Sequence, residues 1–266
     1  MVINYITGQS KRNHNNPFKC KMFFVNMIVR LDNPKVLSDA VSIISEIVTE
    51  VRIKLLEEGM SIVAVDPANI SMVIFKIPKE SFSQYEAGNE VWGINLEDFK
   101  RVLKRAASSS SIIIEQESNQ LKLSIFDKIK RNFILSLIDI PSEDKAEPVL
   151  NFSCEIEINS QELSQVIEDC SVVADSCSLI AEPNKLVIEG SGNVNSAKAE
   201  FSSSETSVKG AAKSKYAIEY LMKFMKAKVF ADKVTLKFSN DYPLRMDFAG
   251  QKMGIGFVLA PRVEND

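Results

Sequence analysis

The sequence predicts an α+β fold in which one structural unit occurs twice. Two observations indicate this. Four landmarks of the first half recur in the same order in the second half, about 120–126 positions later. In each half, segments with apolar residues at helical spacing are interspersed with short segments of alternating apolar and polar residues, which is typical of strands. Each half is therefore predicted to run strand, helix, several strands, helix, several strands.

The first landmark is a helix near the start of each half. Residues 33–41 read NPKVLSDAV, and residues 159–167 read NSQELSQVI. Asn33 and Asn159 are suitable N-caps, and Pro34 suits a first helical position. Glu162 stands three residues after Asn159, as in a capping box. The apolar positions follow at helical spacing: Leu37, Val41, Ile44 and Val48 in the first copy, and Leu163, Val166, Ile167 and Cys170 in the second.

The other landmarks are a second helix, the strands after it and the end of each half. Residues 95–106, NLEDFKRVLKRA, match residues 217–227, AIEYLMKFMKA, and we expect the first of these to be helical over 96–107. Strand patterns follow both helices, and both halves close on an apolar segment with a proline. These segments are 111–115, 121–125 and 137–141 in the first half, and 233–238, 244–248 and 258–261 in the second.

The repeat sets the expected domain boundaries. We predict an N-terminal domain over 27–140 and a C-terminal domain over 149–266. They are joined by an extended connector, 141–148, in which two prolines bracket a mostly charged segment. Residues 1–26 are polar and lack an apolar signal core, so we expect a disordered extension. Two alternatives remain: this basic tail binds phosphate, or translation starts at Met27 and the extension is not part of the native protein.

Composition argues against several classes of protein. The chain has 266 residues, 25% charged and 45% hydrophobic, as globular proteins do. Its apolar runs are far shorter than the roughly 20 residues of a membrane-spanning helix, so no membrane partner is expected. Four cysteines in so long a chain indicate reduced thiols in a cytosolic-type compartment. The single histidine, His14, argues against His-based catalysis and multi-His metal sites.

Charge is distributed unevenly along the chain. Residues 1–26 contain four basic residues and no carboxylate, which leaves 28 basic and 35 acidic residues, a net charge of about −7, in residues 27–266. Within this acidic body, the second helix of each half is basic on the face opposite its apolar stripe. Long cationic side chains on such a face reach phosphates without reading bases, although a solvated polar face is the alternative. The predicted phosphate-binding residues are Lys100, Arg101, Lys104, Arg105, Lys215, Lys223 and Lys226.

Catalysis has little support in the sequence. There is no Gly-x-x-x-x-Gly-Lys-Ser/Thr phosphate loop and no Gly-x-Ser-x-Gly elbow. Cys170 and Cys177 could share a helix face, but without further ligands nearby core packing is favoured over metal binding. Asp66 is the best-placed carboxylate for a metal-dependent hydrolase, while an Asp-Pro turn between strands is the commoner explanation. We therefore expect no catalytic residues, no cofactor and no metal.

Four segments together carry a resemblance to a known family. They are IVAVDPANIS at 62–71, WGINLEDFKRVLK at 92–104, DYPL at 241–244 and LAPR at 259–262. The chain from Met27 onward resembles the sliding clamp family of proliferating cell nuclear antigen, particularly its archaeal members. The resemblance implies two duplicated DNA-clamp domains, each with two helices packed on antiparallel sheets, that form a crescent. Three crescents close as a trimeric ring with the helices inside.

The family implies a non-catalytic processivity factor. Its rings encircle duplex DNA independently of sequence and tether enzymes, which raises their local concentration. The implied partners are other clamp subunits, DNA polymerase, ligase, flap nuclease and the clamp loader, with a location on the nucleoid in the cytoplasm, or in the nucleus of a eukaryote. Arg101, Lys104 and Lys226 match basic channel positions of the family.

The family also implies a docking groove and two edges for ring closure. Partner peptides with apolar and aromatic anchors insert under the connector. The docking groove would consist of Val65, Asp66, Ala146, Pro148, Pro243, Leu244, Val258, Ala260, Pro261 and Arg262. Ring closure would pair a strand with Arg131, Phe133 and Leu135 with a neighbour's strand with Lys198, Ala199 and Phe201.

Two departures from the family pattern sharpen these expectations. Ala146 and Glu147 replace larger apolar residues of the connector, so we expect weak or selective peptide binding. The first helix of each half is usually basic as well, and we therefore hypothesise a specialised subunit of a heterotrimer rather than of a homotrimer. A checkpoint-type ring subunit is a second functional alternative. On those first helices this chain has Ser38, Asp39, Gln165 and Glu168.

Overall fold

The computed structural model describes residues 27–141, 145–202, 204–250 and 252–262. The predicted extension, 1–26, lies outside these residues. The α-helices are α1 (Lys35–Ile44), α2 (Leu96–Leu103), α3 (Ser160–Ser171) and α4 (Ile218–Met225). The strands of the first half are β1 (Ile28–Leu31), β2 (Glu50–Leu56), β3 (Gly59–Val65), β4 (Ser71–Pro78), β5 (Gln84–Glu86), β6 (Asn89–Asn95), β7 (Ser111–Glu117), β8 (Gln120–Phe126) and β9 (Arg131–Ser136). The strands of the second half are β10 (Cys154–Asn159), β11 (Ser176–Glu182), β12 (Lys185–Ser191), β13 (Ser196–Phe201), β14 (Thr206–Lys209), β15 (Ala212–Ala217), β16 (Lys233–Phe238), β17 (Leu244–Ala249) and β18 (Gly254–Leu259).

The two halves have the same topology, as the sequence repeat predicts. In the first half the strand orders are β5-β1-β7-β8-β9 and β4-β3-β2-β6. In the second half they are β14-β10-β16-β17-β18 and β13-β12-β11-β15. Replacing each strand by the one nine places later converts the first set into the second. Neighbouring strands pair antiparallel throughout, which confirms the duplicated α+β fold.

The halves are joined through one continuous sheet. Strand β18 of the second half pairs antiparallel with β4 of the first, so that four strands from one half and five from the other form a nine-stranded sheet. In this pairing Ile255 lies opposite Phe75 and Phe257 opposite Val73, and all four side chains are buried. The junction between the halves is therefore an apolar strand-to-strand contact, although the two strands are far apart in sequence.

Helices cover one side of the sheets in pairs, α1 beside α2 and α3 beside α4. Asn159 caps α3 as predicted, since its side chain accepts hydrogen bonds from the backbone N–H of Gln161 and Glu162. At α1 the prediction is off by one residue, because the N-cap is Pro34 and Asn33 accepts only from the Lys35 N–H. No helix in the described ranges is long and apolar enough to cross a membrane.

Helix α2 is shorter than the predicted 96–107. It ends at Leu103, and the chain continues in tight turns. In these turns the Arg105 N–H bonds to the Val102 carbonyl and the Ala106 N–H to the Leu103 carbonyl, three residues back. The Ser110 hydroxyl then accepts from the Ala107 N–H, so a serine side chain competes with continued helix. Lys104 and Arg105 consequently lie just beyond the helix end.

Gly93 in β6 marks the place where the chain leaving β9 crosses the sheet. The Ile138 N–H donates a 2.9 Å hydrogen bond to the Gly93 carbonyl. A Cβ at residue 93 would lie 2.0 Å from the Ile138 carbonyl oxygen, closer than any side chain allows. The glycine of the WGINL segment thus lets the chain between β9 and the connector lie against the sheet.

Candidate functional site

The four helices form one continuous layer across the junction of the halves. Helix α1 of the first half contacts the short 3-10 turn Lys226–Val229, which follows α4 of the second half. An ion pair spans this contact, because Nζ of Lys226 lies 2.6 Å from both carboxylate oxygens of Glu46. The predicted phosphate-binding residues on α2 and α4 therefore belong to the same layer.

On α2, the basic face is partly neutralised by carboxylates that precede it. Lys100 forms an ion pair with Glu97 and bonds to the hydroxyl of Ser45, the residue after α1, and its side chain is only 19% exposed. Arg101 lies 3.3 Å from Asp98 and remains exposed. The face predicted to be basic therefore also carries Glu97 and Asp98, because residues three apart on a helix are neighbours.

The cations that follow α2 have more freedom. Lys104 and Arg105 are exposed and form no ion pair within the ranges that the structure describes. The Arg105 carbonyl accepts a hydrogen bond from Nη1 of Arg131. This bond fixes the backbone at Arg105 and leaves the guanidinium of Arg105 exposed. Of the residues predicted on the first half, these two fit phosphate binding best.

Lys223 on α4 and Lys226 directly after it are both paired. Nζ of Lys223 lies 2.6 Å from Glu219, and this hydrogen bond lowers the pKa of the Glu219 carboxyl. Lys226 is bound to Glu46, as described above. A third cation was missed: Lys228 lies 3.0 Å from the Ser164 hydroxyl and 3.8 Å from Glu168. Its position two residues after Lys226, in a segment continuing the basic run, was a signal that sequence reasoning could have used.

Lys215 does not belong to the helix layer, contrary to our helical placement. It lies in strand β15, where Ser214 and Tyr216 are buried toward the helices. Because side chains alternate between the faces of a strand, Lys215 lies on the opposite, outer face of the sheet. Helix α4 begins only at Ile218, which is why the helical spacing does not extend back to residue 215.

Asp66 organises the turn between β3 and β4. Its Oδ1 accepts hydrogen bonds from the backbone N–H of Ile70 (2.8 Å) and Ser71 (2.7 Å), and its Oδ2 accepts from the Tyr220 hydroxyl (2.8 Å). Burial acts to raise the pKa of this carboxyl, but the hydrogen bonds from Ser71, Tyr220 and Ile70 outweigh burial and lower the pKa overall. Oδ1 thus holds the turn, the structural role expected of an Asp-Pro turn, and Oδ2 binds α4 of the second half.

Nothing in the described ranges assembles a metal site around Asp66 or elsewhere from three or more His, Cys, Asp or Glu side chains. Cys154, Cys170 and Cys177 are buried in the core. Burial raises the pKa of the Cys154 thiol to about 11, so it stays protonated and unreactive at neutral pH. These cysteines therefore pack as small apolar residues, as the sequence favoured for Cys170 and Cys177. The two do not share a helix face, because Cys177 lies in strand β11.

Eight of the ten predicted docking-groove residues, all but Ala146 and Pro148 of the connector, lie at one end of the central strands β3, β4, β17 and β18. The Ala260 N–H bonds to the Ile70 carbonyl at 2.9 Å, which ties the C-terminal segment to the Asp66 turn. Asp66, Leu244 and Val258 are buried, and Arg262 is exposed and bonds to Asp175 at 2.9 Å. The remaining members differ in exposure: Val65, Pro148, Pro243, Ala260 and Pro261 are half-buried, and Ala146 is exposed.

The connector contributes a charged contact that our list of groove residues omitted. Glu147 forms an ion pair with Arg245 of β17, and its Oε2 lies 3.3 Å from Nζ of Lys76 on β4. Burial acts to raise the pKa of the Glu147 carboxyl, but Arg245 and Lys76 outweigh it and the pKa is lowered. Glu147 thus binds both halves at their junction.

The two predicted edges for ring closure are edge strands. β9 ends one sheet and β13 ends another, so each has one unpaired side. On β9, Arg131, Phe133 and Leu135 are half-buried and Ile134 is exposed. On β13, Phe201 is buried, Ala199 is half-buried and Lys198 is exposed. Unpaired edges with exposed apolar side chains are typical of strand-pairing surfaces.

Family comparison agrees with this architecture in both halves. Residues 26–145 match the N-terminal domain of proliferating cell nuclear antigen, and residues 147–263 match its C-terminal domain. A DNA polymerase sliding clamp from Thermococcus gammatolerans is 32% identical over 241 residues, which cover 88% of this chain and 97% of that protein. One from Nanoarchaeum equitans is 32% identical over 247 residues, covering 89% and 99%.

A solved structure has the same fold. Proliferating cellular nuclear antigen from Entamoeba histolytica superposes with a TM-score of 0.84 at 20% identity, over 89% of this chain and 99% of that one. The two domain matches cover nearly all described residues and show that the chain belongs to the proliferating cell nuclear antigen family of sliding clamps.

Proposed function

We propose that this chain is a sliding clamp subunit, part of a three-subunit ring that encircles duplex DNA and tethers DNA polymerase, ligase and flap nuclease after loading by a clamp loader. The ring itself performs no catalysis in this proposal. Its relatives with about 30% identity are named DNA polymerase sliding clamps, and this chain matches almost their whole length. Tethering increases the effective concentration of an enzyme at DNA without any new chemistry.

The observation that carries the proposal is the relation between the internal repeat and the strand edges. Within the chain, β18 pairs with β4. In the repeat, the equivalent of β18 is β9, nine strands earlier, and the equivalent of β4 is β13, nine strands later. Both β9 and β13 are edge strands. Pairing β9 of one chain with β13 of the next repeats the in-chain junction between chains. Continued around a closed ring, this contact removes every such edge.

The helix layer supports duplex DNA as the ligand. Lys104 and Arg105 are exposed. Arg101 is exposed as well, and Nη1 of its guanidinium lies 3.3 Å from the Asp98 carboxylate. All three cations are therefore available to a phosphate backbone. Contacts of this kind do not read base sequence, as a ring that slides requires. Glu46 and Glu219 reduce the positive charge of the same layer, which favours weak contacts over tight binding.

The same repeat favours a different chain as the neighbour in the ring. Transferring the β18–β4 register to the edges places Arg131 opposite Ala199 and Phe133 opposite Ala197, where the in-chain junction has Ile255 opposite Phe75 and Phe257 opposite Val73. A homotypic contact would thus bury much less apolar surface. Such a homotypic contact would also lack the ion pair that joins Lys226 to Glu46 within the chain. The residue equivalent to Lys226 is Lys104, and the residue equivalent to Glu46 is the exposed Val172. We therefore propose a heterotrimeric ring.

Two measurements test this function. Light scattering of the isolated chain should give a monomer, and mixing with its ring partners should give a species of three subunits. The assembled ring should then remain on a circular duplex at high salt and slide off after the circle is cut, because its hold is topological. Loss of the ring from uncut circles at the same rate as from cut ones would contradict the proposal.

A further inference from the structure

Cations from two neighbouring elements gather beside the edge strand β9. The hairpin between β8 and β9 carries Lys128 and Lys130, and the turns after α2 carry Lys104 and Arg105, all of them exposed. Arg131 at the start of β9 joins the two elements, because its Nη1 donates a 2.9 Å hydrogen bond to the Arg105 carbonyl. These five residues form what we call the β9 cluster, a cationic surface on a chain whose body is acidic overall.

The β9 cluster is only partly neutralised by the chain itself. Asp127 of the hairpin accepts a 2.9 Å hydrogen bond from the Ile129 N–H and forms an ion pair with Arg131. The hydrogen bond from Ile129 and the charge of Arg131 lower the pKa of the Asp127 carboxyl, so it stays ionised and holds the hairpin in place. Lys130 lies 5.1 Å from the centre of the Phe126 ring. Apart from Arg131, no member of the cluster forms an ion pair in the part of the chain that the structure describes, so four exposed positive charges lack a carboxylate there.

The junction between the halves provides a template for the helix side of the β9 cluster. In the repeat, β9 is equivalent to β18, and Lys104 is equivalent to Lys226. Nζ of Lys226 lies 2.6 Å from both carboxylate oxygens of Glu46 across that junction. A second copy of this chain would instead place Val172 against Lys104, and Val172 is an apolar side chain that is 82% exposed. Lys104 therefore fits a neighbour that has a carboxylate where this chain has Val172.

The hairpin side of the cluster has a template in the same junction. Lys128 is equivalent to Lys252, which lies in the hairpin between β17 and β18. The Lys252 carbonyl accepts a 2.7 Å hydrogen bond from the Ser81 hydroxyl of the first half. Lys252 also lines a cavity of about 310 Å³ together with Asp32 and Glu80 of that half. Within the chain, a cationic hairpin thus meets the other half beside two carboxylates.

We propose that the ring neighbour across β9 is a clamp subunit with an acidic edge, which brings one carboxylate to Lys104 and others to the lysines of the β8–β9 hairpin. The inference rests on the proposed clamp function and adds the charge of the partner to it. Opposite charges across the contact favour this neighbour over a second copy of the chain, whose Val172 leaves Lys104 unpaired. In the ring the charge of Lys104 is then partly neutralised, as Glu46 neutralises Lys226, whereas in the isolated chain Lys104 is free to bind phosphate. We favour a neighbouring subunit over DNA for the hairpin, because the equivalent hairpin lies in the junction between the halves.

The helix-side contact is tested by giving this chain the carboxylate that we assign to the neighbour. In Val172→Glu, each copy presents a glutamate to Lys104 of the next copy. Val149→Glu is the matched control, because Val149 is 93% exposed on the C-terminal side of the connector and the two variants have the same composition. The osmotic second virial coefficient, measured by light scattering at low salt, reports attraction between copies even where no stable complex forms.

We expect Val172→Glu to associate about two to five times more strongly than Val149→Glu, as one exposed ion pair allows. Adding Lys104→Gln to both variants should abolish this difference. Equal attraction in the two glutamate variants, or a difference that survives Lys104→Gln, overturns the contact.

The hairpin contact is tested by assembly with the other subunits of the ring, followed by sedimentation velocity. Lys128→Gln with Lys130→Gln should raise the concentration needed for half-maximal assembly by about two to ten times and leave duplex binding of the isolated chain unchanged. The matched control, Lys79→Gln with Lys213→Gln, removes two exposed lysines away from β9 and should assemble like the wild type. Equal assembly in all three proteins overturns the acidic neighbour. A loss of duplex binding as large as that of Lys104→Gln overturns it as well, because it would assign the hairpin to DNA.

The same measurements separate this inference from the clamp function on which it rests. A trimer formed by this chain alone would overturn the heterotypic ring itself. A mixed ring that assembles equally well with and without the hairpin lysines overturns only the acidic edge of the neighbour.

Discussion

The hydroxyl of Tyr220 donates a 2.8 Å hydrogen bond to Oδ2 of Asp66, a residue 154 positions earlier in the chain. Tyr220 lies on α4 of the second half, and Asp66 holds the turn after β3 of the first. One carboxylate therefore does two things: it fixes the local turn through Ile70 and Ser71, and it binds the halves together. The residue that the sequence offered as a catalytic candidate is a structural link at the edge of the docking groove.

Removing this link should destabilise the chain measurably. Tyr220→Phe deletes a hydrogen bond to an ionised acceptor, so we expect the free energy of unfolding to fall by about 1.5 kcal/mol or more. Urea titration at neutral pH measures this. Tyr85→Phe is the comparison, because the Tyr85 hydroxyl donates a bond of equal length, 2.8 Å, to the neutral Leu56 carbonyl within one half. That variant should lose only about 1 kcal/mol. A smaller loss in Tyr220→Phe than in Tyr85→Phe would contradict the charged link.

The same carboxylate makes stability depend on acid pH. The pKa of Asp66 is lowered in the folded chain relative to its ordinary value of 3.8, so ionised Asp66 favours folding. This contribution is complete above about pH 5 and is lost as the pH falls through the lowered folded pKa. The difference in unfolding free energy between the wild type and Asp66→Asn should be constant above pH 5 and shrink below it. Urea titrations from pH 7 to pH 3 would show this, and a gap that widens in acid would refute it.

Local patterns in the sequence were enough to predict the elements of the fold, because the apolar stripes of α2 and α3 repeat over neighbouring residues. Charge pairing was not predictable in the same way. Glu97 and Lys100 are three residues apart on α2, so their side chains meet on one face, and a count of the basic residues on that face leaves this pairing out. Glu46 and Lys226 are 180 positions apart, and the fold alone brings them together. Lys215 was misplaced because its strand ends where the helix begins, so one periodicity was extended across two elements.

Freeing a paired lysine should strengthen contact with DNA. Glu46→Gln leaves Lys226 without its carboxylate, so we expect duplex binding at low salt to become about two to three times tighter. Fluorescence anisotropy with a labelled duplex measures this. Glu57→Gln is the matched control, because it removes an exposed carboxylate from the β2–β3 hairpin, away from the helix layer. An equal gain in both variants would mean that net charge alone controls binding.

Removing an unpaired cation should have the opposite effect, with a defined salt signature. Lys104→Gln deletes an exposed cation that follows α2, and we expect weaker duplex binding with a salt slope that is smaller by about 0.9. Lys215→Gln removes the same charge from the outer face of β15 and should change neither quantity. The two variants have the same composition, so anisotropy titrations at several salt concentrations compare position only. If Lys215→Gln weakens binding as much as Lys104→Gln, the helix layer is not the DNA-facing surface.

The edges of the chain offer the sharpest test of how the ring closes. A homotypic contact would place Arg131 opposite Ala199, whereas the in-chain junction pairs Ile255 with Phe75 at the equivalent place. The double variant Arg131→Ile with Ala199→Phe recreates that apolar pair between two copies. It should therefore associate at concentrations where the wild type scatters light as a monomer, since two apolar side chains replace a cation and a methyl group. Each single variant leaves one small or charged side chain in the pair and should remain monomeric. A stable trimer of the unmodified chain would show that its edges already fit each other and would overturn the heterotypic ring.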